Sequence, residues 1–160
     1  MAAKTNAARL LDTLGISYSL HTYDVDPDDL SASAVAAKVG LSVEQVYKTL
    51  VVRGDRHGPC FAVLPGDHDL DLRALARITG DRRIETVRVG ELPGLTGYVR
   101  GGVTVLSARR AFPVVVDDLV ELHEIISVSA GQRGVQIWLA PADYLRATGA
   151  QLADIARPRA

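Results

Sequence analysis

The chain has 160 residues, of which 48% are hydrophobic and 23% charged, values typical of one globular domain with its own core. Its formal net charge of −1 excludes a domain that binds nucleic acid through overall positive charge, so any contact with RNA requires a local basic patch. The single cysteine, Cys60, excludes an internal disulfide, and no apolar run approaches the roughly 18 residues of a membrane span.

The first half of the chain is predicted to contain three helices, a strand and a hairpin. In chain order these are a helix over 5–14, a strand over 17–23, a helix over 33–39, a hairpin of 47–53 with 60–65, and a helix over 72–78. Apolar residues recur at helical spacing in the three helices, and a glycine follows each of them as a stop signal. Ser42 and Gln45 have the spacing of a capping box, which predicts one further short turn of helix.

The second half is predicted to combine a glycine-rich passage with a strand pair and a final helix. The passage covers 94–102 and contains a strand-like pair, Tyr98-Val99. Strands at about 124–129 and 135–140 flank a tight turn, and Pro141 suits the first position of a helix. The order is not a regular alternation of strand and helix, which predicts an α+β fold and argues against a Rossmann or flavodoxin-like sheet. With no repeat or linker, we expect one domain over 1–160 in the cytoplasm, without membrane contact.

The motifs of several enzyme classes are missing from the sequence. It contains neither a phosphate-binding loop of the G-x-x-x-x-G-K-[ST] type nor a G-x-S-x-G nucleophile elbow. The four histidines are scattered and form no helical pair of metal ligands. We therefore predict that the protein uses no metal and no cofactor. Cys60 is interpreted as a small buried side chain rather than a nucleophile, and His68 as part of a solvated acidic turn rather than a base.

Lys48 is the most informative residue, because it lies in the apolar strand 46–52 of a chain that has fifteen arginines and only three lysines. Burying an ammonium group is costly unless the group is paired or used. Three interpretations remain open from the residues alone: the amine extends to the solvent, it forms an ion pair with a core carboxylate, or it has a functional role in polarising a carbonyl or accepting a proton. Gly101-Gly102 adds a place where the backbone can approach a ligand closely and offer N–H groups, although an ordinary turn explains it equally well.

Five segments, in order and over nearly the whole chain, carry a resemblance to a known family. They are His21-Thr22-Tyr23, residues 45–52 around Lys48, residues 96–102, residues 128–134 and residues 152–157. Together they resemble the YbaK type of bacterial Cys-tRNA(Pro) deacylase, whose superfamily includes the editing domain of bacterial prolyl-tRNA synthetases. The resemblance implies a mixed, largely antiparallel, barrel-like sheet surrounded by helices.

The resemblance also implies an activity and its partners. The expected reaction is hydrolysis of the ester that joins a wrong amino acid to the 3′ end of tRNA, with Cys-tRNA(Pro) as substrate. Cysteine and proline are so close in size that a synthetase needs a second site to remove the error. The family has no protein nucleophile, and the substrate thiol is thought to attack its own ester. The expected partners are mischarged tRNA and prolyl-tRNA synthetase.

The family's functional positions fall on specific residues of this chain. Lys48 would orient the substrate and stabilise charge near the ester, Tyr23 would donate a hydrogen bond, and the Gly101 N–H would meet the developing oxyanion. The substrate-binding residues would be Gly102, Ser129, Gly131 and Gln136. The arginines implied at the rim, for terminal phosphates, are Arg109, Arg110 and Arg133.

Five positions depart from the family pattern. They are Val25, where a histidine is usual, Val105 and Ser107, where proline and glycine are usual, Ala130 in place of glycine, and Gln136, where members can carry aspartate. None of these changes Lys48, so the expected reaction class stays the same. They leave open the editing of another misacylated tRNA, such as Ala-tRNA(Pro), and a non-catalytic module that binds tRNA or a synthetase.

Overall fold

The computed structural model describes residues 4–159 and contains five α-helices in that range. They are α1 (Asn6–Thr13), α2 (Ala32–Val39), α3 (Leu72–Thr79), α4 (Leu92–Thr96) and α5 (Pro141–Thr148). The first three helices are capped by the side chains of Thr5, Ser31 and Asp71, each of which accepts a backbone N–H of the first turn. The four helices predicted from the sequence are confirmed to within one or two residues. None of the helices between residues 4 and 159 is long and apolar enough to cross a bilayer.

Ten strands lie in the same range and form three sheets. They are β1 (Ser19–Thr22), β2 (Tyr47–Gly54), β3 (Gly58–Pro65), β4 (His68–Leu70), β5 (Ile84–Thr86), β6 (Val114–Asp117), β7 (Ile126–Ser129), β8 (Val135–Leu139), β9 (Gln151–Ala153) and β10 (Ala156–Pro158). The largest sheet has the order β5-β2-β3-β6-β9, the second has the order β1-β8-β7, and β4 pairs with β10. An isolated bridge between Val46 and Ser127 joins the first two sheets.

The sheets are mixed and largely antiparallel, as predicted. The hairpin of β2 and β3 pairs from Tyr47↔Pro65 to Gly54↔Gly58, and only the β3–β6 and β6–β9 pairs are parallel. The prediction of a barrel-like sheet is wrong in one respect, because the five-stranded sheet does not close on itself. Its outer strands β5 and β9 are three residues long and pair on one side only, so both edges of this sheet remain open.

Strand β3 explains how the core is divided. Phe61 and Val63 belong to the larger core cluster, which α1, β7 and β8 also build. Cys60 and Ala62 point to the opposite face, into a cluster formed with α3 and β6. Because side chains alternate across a strand, burial on both faces requires the continuous apolar run that the sequence has there.

Three local predictions need correction. Tyr98-Val99 forms no strand, because this segment connects α4 to a series of turns. The capping box at Ser42 is half made: the Ser42 hydroxyl accepts from the Glu44 N–H, but the Gln45 amide donates to the Ile125 carbonyl instead of the cap. His68 lies in β4 rather than in a solvated turn, since the chain terminus supplies β10 as its partner.

Asp117, at the end of β6, fixes the last segment of the chain. Its side chain is fully buried, and Oδ2 accepts hydrogen bonds from the N–H groups of Ile155 and Ala156 at 2.9 and 2.8 Å. Oδ1 accepts a third from Leu119. The carboxylates of Asp118 and Asp154 lie within 4.8 Å of this group. The buried member of this acidic cluster therefore has a structural role, which is to hold β9 and β10 in place.

Candidate active site

A cavity of about 390 Å³ lies beside β2, where the two larger sheets meet. Its walls come from segments spread over most of the chain. They are Leu30–Ala32, Val35, Val46–Val51, Gly66, Thr86, Val87, Leu92, Arg100, Gly101, Val103, Ser129, Gln136 and Arg159. Most of these side chains are apolar, and the charged ones are Lys48, Arg100 and Arg159.

The backbone of β2 itself forms one wall of the cavity. Six consecutive residues, Val46 to Val51, line it, which the alternating side chains of a strand alone would not produce. The reason is the short β5, which pairs only with Val52–Gly54 and leaves the preceding part of the β2 edge without a strand partner. The Val51 carbonyl on this edge accepts the Val87 N–H at 3.3 Å, and the main-chain groups before it that do not face β3 are available to a ligand.

Lys48 lies in this wall, half-buried, and its Nζ donates a 2.6 Å hydrogen bond to the His68 carbonyl. Burial lowers the pKa of the Lys48 ammonium below its ordinary value, and the nearby Arg159 lowers it further, against the opposing effect of Asp69 and Asp67. No carboxylate within residues 4–159 forms an ion pair with Lys48. The core ion pair considered from the sequence is therefore not formed, and the amine lines a cavity instead.

The two glycines of the 98–106 loop have different roles. Gly101 lines the cavity with a φ of +87°, and a Cβ there would lie 3.2 Å from both Leu30 Cδ1 and Arg133 Nε. The Gly102 N–H donates a hydrogen bond to the Val99 carbonyl, and a Cβ at Gly102 would crowd the backbone of Gln132 and Arg133. Gly102 thus allows two protein segments to approach each other, and only Gly101 lies in the cavity wall.

The turn of 130–134 packs against this loop through Gly131. Its φ is +94°, and a Cβ would lie 2.8 Å from the Tyr98 ring, so Gly131 supports the wall from behind and does not line it. Ser129, which does line the cavity, accepts the Gly131 N–H at its Oγ. Its strand partner Gln136 also lines the cavity, and the Gln136 Oε1 accepts a 2.8 Å hydrogen bond from the fully buried Ser127 hydroxyl. The bond to Ser127 holds the Gln136 amide in one orientation.

The other predicted site residues lie outside the cavity. Tyr23 packs against the cluster of Val35, Ala36 and Val46, so it backs one wall. Arg109, Arg110 and Arg133 are exposed and absent from the lining, and Arg133 Nε donates to the Arg100 carbonyl.

Two arginines line the cavity, Arg100 and Arg159, and neither was predicted as a site residue from the sequence. Arg100 could have been found, because it precedes Gly101. Arg159 could not, since its position depends on the three-residue β10 and on its 3.1 Å ion pair with Asp69.

Cys60 is not part of the site. Its thiol is buried in the second core cluster, and burial raises its pKa to about 11. This agrees with the interpretation of Cys60 as a small core residue and leaves the cavity without a cysteine nucleophile.

One cavity therefore combines a half-buried amine, apolar walls and main-chain groups, an arrangement typical of the binding site of an enzyme for a small polar group. The comparison with known proteins specifies this class. Residues 26–147 match the sequence profile of the aminoacyl-tRNA editing domain, and the chain belongs to this family.

Individual relatives agree with the family. The proposed Cys-tRNA(Pro)/Cys-tRNA(Cys) deacylase EbsC of Enterococcus faecalis is 38% identical over 152 residues, which cover 95% of this chain and 93% of that protein. The multifunctional Ser/Thr-tRNA deacylase ProXp-y of Escherichia coli is 30% identical over 128 residues, covering 78% and 77%. The crystal structure of a proposed trans-editing enzyme for prolyl-tRNA synthetase superposes with a TM-score of 0.81 at 26% identity, covering 98% of this chain and 99% of that one.

These findings confirm the predicted resemblance and reaction class. The protein is an aminoacyl-tRNA deacylase of the editing family, acting on mischarged tRNA.

Proposed function

We propose that the protein removes cysteine from Cys-tRNA(Pro) in trans, and that the aminoacyl 3′ end of the tRNA enters the cavity beside β2. The observation that carries the proposal is Lys48, an amine held in a cavity wall by the His68 carbonyl without an ion pair to any described carboxylate. A cation kept in this way remains available to a substrate. The relative named as a Cys-tRNA(Pro)/Cys-tRNA(Cys) deacylase supports the choice of amino acid.

The proposed chemistry uses the substrate as its own nucleophile. The thiol of the bound cysteine loses its proton, and its sulfur forms a bond to the ester carbonyl carbon. The carbon–oxygen bond to the ribose then breaks, the ribose oxygen takes up a proton, and a cyclic thiolactone of cysteine is released for hydrolysis by water. The location of Cys60 in the core supports a route without a protein thiol.

In this mechanism the protein supplies position and charge. We assign to the Lys48 ammonium the stabilisation of the negative oxygen that develops at the carbonyl. The Gly101 N–H has no backbone acceptor among the described residues and can donate to the same oxygen. The open edge of β2 offers further main-chain groups for the α-amino end of the substrate.

The proposed partner that selects the tRNA is prolyl-tRNA synthetase. A net charge of −1 indicates weak intrinsic affinity for RNA, so a synthetase that releases the mischarged tRNA nearby would supply the substrate at high local concentration.

The test is a deacylation assay with Cys-tRNA(Pro), Ala-tRNA(Pro) and Pro-tRNA(Pro). We expect rapid loss of the cysteine ester alone, and a rate decrease of about 100-fold or more in Lys48→Ala, as for loss of an oxyanion donor. Lys4→Ala is the matched control, because Lys4 is exposed and forms an ion pair with Asp12, outside the cavity lining.

Two other results would replace the proposal. Turnover of esters without a thiol would assign the chain to another misacylated tRNA, in line with the relative named as a Ser/Thr-tRNA deacylase. Binding of mischarged tRNA by the folded wild type without any turnover would leave a non-catalytic module.

A further inference from the structure

A second cavity, of about 650 Å³, lies at the far end of β2 and is rich in arginine. We call it the arginine groove. It is lined by Arg53–Asp55, Leu72, Arg73, Ala76 and Arg82–Glu85. Four of its lining residues are arginines, whereas Asp55 and Glu85 are its only acids. The groove is therefore a positively charged concavity on a chain whose overall charge is −1.

The arginines of the groove are largely free to bind an anion. Within residues 4–159, Arg53 forms an ion pair with Glu91 at 3.0 Å, and Arg73, Arg82 and Arg83 form none. Of the two acids that line the groove, Asp55 is held by the backbone, because its Oδ1 accepts the N–H groups of Arg82 and Arg83. These two bonds fix the segment that carries two of the arginines while their side chains remain exposed.

The arginine groove and the candidate active site share two strands. Strand β2 lines the active-site cavity with Lys48 and the groove with Arg53, and β5 lines the former with Thr86 and the latter with Ile84. At about 3.3 Å per residue, Lys48 and Arg53 lie roughly 16 Å apart along β2. A few nucleotides of RNA can span that distance.

From this arrangement we infer that the arginine groove binds the phosphate backbone of the tRNA whose 3′ end lies in the active-site cavity. The inference rests on the proposed function and deepens it, since it assigns the phosphate contacts to Arg73, Arg82 and Arg83 instead of the rim arginines expected from the sequence. Planar guanidinium groups suit phosphate oxygens, and an unpaired arginine gains more from such a contact than one already bound to a carboxylate.

The test compares binding of uncharged tRNA(Pro) by the double variant Arg73→Gln/Arg83→Gln with binding by Arg9→Gln/Arg146→Gln. The control removes the same charge from exposed positions on α1 and α5. We expect the groove variant to raise Kd by about tenfold or more, and to make the dependence of log K on log salt shallower by about 1.4 to 1.8.

Equal tRNA affinity of the groove variant and the control would overturn the inference, as would a wild type that does not bind tRNA at low salt. Loss of binding to prolyl-tRNA synthetase with unchanged tRNA affinity would also overturn it and would make the groove a protein interface. Because the ligand is uncharged tRNA, failure of the proposed deacylation would not affect this comparison, and the two failures can be distinguished.

Discussion

Lys48 shows how one residue can be placed at an energetic cost. Folding removes much of its amine from water and gives it a single carbonyl acceptor, that of His68. The protein therefore holds a cation that would be more stable in the unfolded chain, as the lowered pKa of Lys48 indicates. A residue that is unfavourable for folding and lies in a cavity is typical of a functional site.

This cost predicts a pH dependence that Lys48→Met should remove. Because the pKa of Lys48 is lowered by folding, the native state releases the proton first as pH rises, and the unfolded state then binds more protons. The free energy of unfolding of the wild type, relative to that of Lys48→Met, should therefore increase with pH up to the ordinary lysine pKa of 10.5. Urea unfolding of both proteins at several pH values measures this difference, and a difference that stays constant would contradict the prediction.

At the scale of elements, local signals predicted some parts of the fold and could not predict others. The Thr5, Ser31 and Asp71 caps and the apolar hairpin β2–β3 act within a few residues, so α1, α2, α3 and the hairpin could be predicted. The three-residue strands β4 and β10 have no such signal. They form because Asp117 binds the backbone at Ile155 and brings the end of the chain beside β4.

Asp117→Asn should therefore destabilise the protein through its last two strands. The amide NH2 replaces one acceptor oxygen, so at least one of the buried N–H groups of Leu119, Ile155 and Ala156 loses its partner. We expect a loss of about 1–3 kcal/mol in the free energy of unfolding. Asp118→Asn at the exposed neighbouring position is the control and should have little effect. Urea unfolding and limited proteolysis at the C-terminus would reveal the difference, and equal behaviour of both variants would refute the explanation.

At the scale of the whole molecule, the cavity of the candidate active site is assembled from segments between Leu30 and Arg159. Lys48, Gly101, Ser129 and Gln136 could be predicted to meet because a resemblance over the whole chain carried that information. Arg159 could not, since no local pattern places it beside Lys48. The glycines at 102 and 131 were predicted as substrate contacts but instead lie where protein segments pack closely.

The proximity of Lys48 and Arg159 predicts a coupling across 111 positions of sequence. Arg159 lowers the pKa of Lys48 and also pairs with Asp69, which raises it. Arg159→Gln removes the positive charge that lowers this pKa and releases Asp69 from its ion pair. The pKa of Lys48 should therefore increase. NMR titration of the Lys48 side chain would measure the shift, and Arg157→Gln, two residues earlier in β10, should leave it unchanged. An unaltered titration in Arg159→Gln would show that the two cations are independent.

The open edge of β2 has a consequence for how the family can diversify. Main-chain groups cannot be removed by a point mutation, so the hydrogen-bonding groups on the open part of the β2 edge persist while side chains around the cavity change size and polarity. Leu30, Val35 and Val103 are such side chains, and each contributes bulk rather than a reacting group. We therefore expect substitutions at these positions to change which side chain the cavity admits, while the main-chain hydrogen-bonding groups stay in place.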